Sequence, residues 1–240
     1  MQPEPAAVAK PWSVLRVILI ALVCCALVGF VSGFTVGFLF GFFRAALKLP
    51  ETPSYLPLRL VCTVMMIGTI LLTAASLFAR RTGNLSTALG NHPISHPVVL
   101  GIGAVLIFLY GILASITFMA ILPSWMKFWA PVNGWVFGLF FFVLAVLAPL
   151  AEELFFRGWM WTALRQHWGS WATGITTSVL FLVMHLENGL LTIILLLPLA
   201  VMLAVARAVG GSVRASFIIH CLYNVGVAGT LSVALLNSQT

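Results

Sequence analysis

The sequence predicts an all-α protein, a polytopic bundle of about seven (6–8) transmembrane helices, and three observations predict it. The 240 residues are 62% hydrophobic and only 7% charged, where soluble domains have roughly 45–50% and about 25%. The apolar residues gather into seven runs, at about 14–43, 57–79, 97–122, 132–151, 171–187, 189–208 and 212–236. A helix needs about 20 residues to cross a bilayer. The twelve Lys and Arg sit mostly at the ends of these runs, where side chains anchor helices at a membrane surface.

The mean hydropathy of +1.13 makes the lipid bilayer the surroundings. The dispersed cations form no patch of the kind that binds nucleic acid. Residues 1–12 are a Pro/Ala-rich tail. Lys10 and Arg16 then flank an apolar run far longer than the 7–15 residues of a signal-peptide core, so the run is read as a retained first span. That run places Gly29, Gly33, Gly37 and Gly41 on one stripe and Phe30, Phe34, Phe38 and Phe42 on the next. Small residues at every fourth position let helices approach closely. Packing within the same chain is the simpler reading, and homodimerisation through the four glycines is the sharper one. Cys24, Cys25, Cys62 and Cys221 lie inside apolar runs without CxxC spacing and read as buried free thiols. The connection at 80–97 is polar, with His92 and His96 each followed by proline, and both read as surface histidines. The thin joint Glu187-Asn188-Gly189 separates the fifth and sixth runs, and Glu187 is expected to cap that break. No internal repeat or low-complexity tract is present. The chain divides into N-terminal membrane helices over 1–131 and a helical core over 132–240 that carries the motifs described below.

Orientation follows from the connections. Lys10, Arg16, Arg80, Arg81, Arg157, Arg165, Arg207 and Arg214 fall on one side, and Arg44, Lys48, Arg59 and Lys127 on the other. The positive-inside rule then puts the N-terminus in the cytoplasm, in a cytoplasmic (inner) membrane.

The chemistry concentrates in three places. Only five residues are acidic, none is Asp, and two of the five, Glu152 and Glu153, stand side by side at the end of an apolar run. A charge at the bilayer centre costs at least a few kcal/mol, so carboxylates at such depth mark functional sites. Glu153 and Arg157 are four apart, Glu first, the favourable order for a helical ion pair. Glu152 points about 100° away with no basic residue three or four positions off. One carboxylate is neutralised and the other available. Phe181 lies four residues before His185, and His220 four before Asn224, so each pair shares a helix face. The turn near Trp168 reads as a hairpin tip. If the Glu152 helix runs to about Arg165, Glu153 and His185 both lie about 22 Å from that tip.

These elements, Glu152-Glu153-xxx-Arg157, Phe181-xxx-His185 and His220-xxx-Asn224, resemble the EExxxR, FxxxH and HxxxN/D signatures of the CAAX-processing and bacteriocin-processing (CPBP, or Abi) family of intramembrane proteases. That family includes the type II CAAX prenyl endopeptidase. The three signatures stand in family order, and the resemblance covers roughly residues 132–236.

Peptide hydrolysis needs an activated water and donors for the developing oxyanion. Glu152 is the candidate general base, with His185 sharing the water and protonating the leaving amine. His220 and Asn224 are the candidate oxyanion donors, Glu153 and Arg157 hold the helix, and Phe181 walls the site. The resemblance implies the same assignment. No cofactor is required, although Glu152, Glu153, His185 and His220 could form a zinc site; competition from Arg157 for Glu153 favours the metal-free reading. The expected activity is an endopeptidase acting on a membrane-associated peptide or protein. The alternative is a non-catalytic binding, immunity or transport protein using the same polar cluster, but a transporter would show broken helices repeated in two halves.

Overall fold

The computed structural model describes residues 12–34, 68–76, 84–121, 138–139, 141–186 and 189–237, and every regular element among them is helical. In chain order these are α1 (Val14–Gly33), α2 (68–76), the short α3 (Leu85–Ala88), α4 (Pro97–Ile121), α5 (141–164), α6 (Ser170–Met184), α7 (Leu190–Gly210) and α8 (Val213–Asn237). Among the described residues, two stretches, Pro97–Phe118 and Leu190–Gly210, are long and apolar enough to cross a membrane. These two are the clear candidates, among the described residues, for the expected seven spans.

The outward faces carry the signature of lipid. On α4 the residues Val98, Ile102, Val105, Leu109, Leu113 and Ile116 recur at helical spacing and all are exposed. Ile194, Leu197, Val201 and Val205 do the same on α7, and Trp171, Ile175 and Val179 on α6. Water would penalise apolar belts of this size; hydrocarbon does not. The polar residues are turned inward instead, with Glu153, Arg157, Ser178, Arg207, Ser216 and His220 all buried. This is a membrane protein with a polar interior.

α8 is the central helix. It packs along α4 and against α7 and α5, while α6 lies between α7 and α1. The α4–α8 contact is close because glycine faces backbone on both sides. A Cβ on Gly111 would stand 2.6 Å from the Tyr223 carbonyl, and one on Gly226 would stand 2.7 Å from the Phe108 carbonyl. The stacked Tyr110 and Tyr223 rings, 6.2 Å apart, flank the same seam. Tyr110 also donates to the Leu195 carbonyl of α7 at 2.9 Å.

One end of the bundle gathers the connections at 84–96 and 210–212. Ser95 N–H donates to the Gly210 carbonyl at 3.0 Å, and Val213 N–H to the Gly90 carbonyl at 2.9 Å. Ser212 Oγ donates to the His92 carbonyl at 2.6 Å. Gly90 holds a left-handed conformation (φ 65°), which glycine adopts without the steric cost of a side chain. His92 and His96 are exposed. Gly158 of α5 lies level with this loop, since a Cβ there would be 3.1 Å from the Leu89 carbonyl. The α5–α6 hairpin continues past it to a tip where the His167 ring bonds the Trp12 carbonyl at 2.7 Å.

α5 runs on past the carboxylates to residue 164, as the hairpin reading requires. Two expectations change. Arg157 and Arg207, counted among the surface cations that set orientation, are buried and anchor nothing at an interface. His185 is not inside its helix but is the residue that ends it, at φ −98° and ψ 4°. Cys24 and Cys25 are buried and Cys221 half-buried, all as free thiols. Gly29 is half-buried. Gly37, Gly41, Phe38, Phe42, Cys62 and Glu187 lie outside the described residues.

Candidate active site

α5 is not a uniform helix. Val143–Leu147 and Leu154–Met160 are wound as π-helix, and the six α-helical residues Ala148–Glu153 between them carry both carboxylates. Such widened turns are uncommon and gather at functional sites. A carbonyl in each receives a side-chain donor from a neighbouring helix. Asn224 Nδ2 of α8 donates to the Leu144 carbonyl at 2.8 Å, and Arg207 Nε of α7 donates to the Arg157 carbonyl at 2.8 Å. The diglutamate is thus fixed from both sides.

Both carboxylates meet His220. Glu153 Oε1 lies 3.0 Å from Nδ1, and Glu152 Oε2 lies 3.8 Å from Nε2. Adjacent residues on a helix point about 100° apart, yet a Glu side chain is long enough for two of them to embrace one ring. Glu153 is fully buried and also accepts from Arg157 Nη1 at 3.2 Å. An ionised carboxylate can only accept, so His220 Nδ1 carries the hydrogen and Nε2 is the nitrogen turned to Glu152. The Glu152 side chain retains 12% exposure. It has no hydrogen bond among the described residues, because 3.8 Å is too long for one.

Phe181 joins the pieces. Its ring lies 5.8 Å edge-on from His220, 4.7 Å from His185 and 5.8 Å from Phe156. The Arg157 guanidinium sits over its face at 4.7 Å, within cation–π range. The expected apolar wall is therefore also the floor on which the buried cation rests. Arg157 Nη2 reaches the Ala200 carbonyl of α7 at 3.5 Å, a carbonyl that Ser178 Oγ also bonds at 2.9 Å.

His185 Nδ1 stands 2.8 Å from the Phe181 carbonyl. A carbonyl accepts, so Nδ1–H donates and the Nε2 lone pair is left free in the neutral ring. Direct contacts thus link Glu152, Glu153, Arg157, Phe181 and His220, and His185 joins them through the Phe181 ring. Asn224 is on the same face of α8, one turn beyond His220, with one amide hydrogen spent on Leu144.

No group of three or more His, Cys, Asp or Glu among the described residues is arranged to hold a metal ion. Glu153 already binds a guanidinium and an imidazole, which is poor company for a divalent cation.

Sequence reasoning missed Arg207 and the π-wound segments. Arg207 is buried beneath Gly90, stacks on the Trp161 ring at 5.5 Å and bonds the Arg157 carbonyl. Its place near a chain turn imitates a surface anchor, and only the fold reveals that it points inward.

Residues 133–226 match the family described as Type II CAAX prenyl endopeptidase Rce1-like. No curated protein and no solved structure matches the chain.

Proposed function

We propose, on the footing that residues 133–226 belong to this Rce1-like protease family, that the protein is an intramembrane endopeptidase cutting a membrane-associated peptide or protein with a Glu-activated water. The observation that carries the reading is the convergence of a partly exposed carboxylate, Glu152, on an imidazole that a second carboxylate holds in place.

The steps follow from the atoms present. Glu152 takes a proton from water as its oxygen attacks the scissile carbonyl carbon. The charge moves to the carbonyl oxygen, where His220 Nε2–H in the doubly protonated ring and the remaining Asn224 amide hydrogen donate to it. Each such donor is typically worth about 3–4 kcal/mol of barrier. The C–N bond then breaks, and the proton passes from Glu152, through His185 Nε2, to the leaving amine. A new carboxylic acid and a new amine result, and transfer of the acid's proton to the amine leaves a carboxylate and an ammonium. Glu153, Arg157 and Phe181 keep His220 in register throughout. Arg157 neutralises Glu153, which supports a metal-free centre. Loops 84–96 and 210–212 mark the end from which substrate arrives, taken as cytoplasmic from the charge bias.

The test is cleavage of membrane-delivered peptides by purified protein in proteoliposomes. Glu152→Ala, His185→Ala and His220→Ala should each abolish cleavage while the proteins stay folded, and chelator should leave the wild-type rate unchanged. Full activity in any of the three variants would reject the assignment.

A further inference from the structure

One buried cation stands outside the ion pairs of the candidate active site. Arg207, in the last turn of α7, is only 7% exposed, yet it pairs with no carboxylate among the described residues. Glu152 and Glu153, the only acidic residues described, gather on His220 instead. Arg207 Nε donates to the Arg157 carbonyl at 2.8 Å, and Trp161 covers one side of the guanidinium at 5.5 Å. Nη1 and Nη2 are left without a hydrogen bond among the described residues, and neither is sealed in as Arg157 Nε is. A charged donor held inside a protein with its hydrogen bonds unmade is costly, so this fork is short of an anion.

A second cation stands by. Arg165 closes the end of α5, four residues after Trp161 and so on the same face. It is exposed, and its charge and that of Arg207 act on each other. Like charges repel, and an anion placed between them turns that repulsion into attraction. Arg165 Nη1 donates to the Trp168 carbonyl at 2.6 Å, which ties the side chain to the hairpin tip. The tip has the composition of a membrane interface. Trp168 is half-buried and Trp171 exposed, and the Arg16 guanidinium lies over the Trp12 ring at 5.6 Å. The His167 ring joins that tryptophan to the tip. Tryptophan beside arginine marks the level of lipid headgroups.

We propose that Arg207 and Arg165 form a binding site for an anionic phosphate group between the ends of α5 and α7. Trp161 lies on one side of the site and Gly90 on another, where a Cβ would collide with Arg207 Nη2. The phosphate comes from a lipid headgroup or from the aqueous phase. Both present the same oxygens, which a guanidinium fork binds in bidentate fashion. The tryptophan-rich level of the site favours the headgroup. An anion there also steadies the guanidinium that holds the Arg157 carbonyl, and with it the widened turn beside the two glutamates.

The test is thermal unfolding of the full chain in micelles of a sugar-headgroup detergent, which contains no phosphate. Phosphatidylglycerol, a diacylglycerol of the same chains, or inorganic phosphate is added. A ligand held only by the folded state raises the midpoint. Phosphatidylglycerol should raise it by several degrees and the diacylglycerol should not. An equal rise with inorganic phosphate assigns the site to the free anion, and no rise with it assigns the site to the lipid. Arg165→Gln, an exposed change, should fold normally and need roughly ten-fold more phosphatidylglycerol for half the rise, the scale of one charge-assisted hydrogen bond. Arg207→Gln also loses its bond to the Arg157 carbonyl, so the quantity read is the increment on adding lipid, which should vanish; Arg207→Lys should keep part of it. Arg214→Gln, which removes an exposed cation tied to Asn91, should keep the full increment and so separates this site from general attraction to an anionic lipid. No rise with either phosphate, a rise that the diacylglycerol reproduces, one that survives both Arg165→Gln and Arg207→Gln, or one that falls equally in Arg214→Gln overturns the proposal.

Discussion

Replacing Arg157 by Met should be among the most damaging single changes available to this protein, and the size of the loss can be worked from its contacts. The guanidinium is fully buried. It makes a 3.2 Å charge-assisted bond to Glu153, a longer bond to the Ala200 carbonyl and a cation–π contact with Phe181. Methionine fills much of the volume but strands the Glu153 charge. Breaking a buried pair from one side costs about 3–5 kcal/mol, and the ring contact adds about 0.5–2 kcal/mol. Removing both charges, as Arg157→Met with Glu153→Gln, strands nothing, so the double variant should be more stable than Arg157→Met alone. Unfolding in mixed micelles, followed by the fluorescence of the eight tryptophans, gives all four corners of the cycle. A coupling of about 2 kcal/mol or more is expected. Two single losses that simply add, or an Arg157→Met protein as stable as wild type, would refute the reasoning.

Further outcomes follow from single contacts. Phe181→Ala should cost about 3–5 kcal/mol, as large aromatic truncations do, and abolish cleavage, whereas Phe181→Leu should keep most of the stability yet lower kcat, because His185, His220 and Arg157 lose their ring; thermal unfolding and steady-state kinetics check both. Gly111→Ala or Gly226→Ala forces a Cβ against the carbonyl it faces and should destabilise by roughly 1–3 kcal/mol, the usual cost of overpacking, read as a lowered unfolding midpoint. Gly90→Ala puts a Cβ into the Arg207 guanidinium at a left-handed position and should cost about 1–3 kcal/mol. Arg207→Lys, which loses the bond to the Arg157 carbonyl, should lower kcat several-fold with KM nearly unchanged, since α5 shifts while the path to the site stays open.

Much of the site was legible because its residues are chemically out of place. Paired glutamates in a chain with five acids stand out, and four-residue spacing put Arg157 under Glu153 and His185 over Phe181, as the 3.2 Å and 4.7 Å separations show. The all-helical class followed from composition. Other features depend on tertiary contacts that leave no local trace. A π-wound turn has the same apolar pattern as the α-helix around it, so the widened segments flanking Ala148–Glu153 were invisible. Arg207 has the sequence setting of an interface anchor and becomes a buried clamp only because Gly90 and Trp161 close over it. Helix spacing also placed Asn224 beside His220, but could not show that its amide reaches across to Leu144. The apolar run ends at residue 151 while α5 continues to residue 164, and that continuation is buried against protein, with Phe155, Phe156, Trp159 and Met160 all covered.

The most direct measurement is the single-turnover rate of peptide cleavage by the Glu152→Gln protein in proteoliposomes. Glutamine keeps the shape of the side chain and removes its ability to accept a proton. A positioned general base contributes about 10²–10⁴-fold, so the expected rate falls at least 100-fold with unchanged peptide binding and an unchanged unfolding midpoint. Cleavage by Glu152→Gln within a few-fold of wild type would contradict the claim that this carboxylate activates the water.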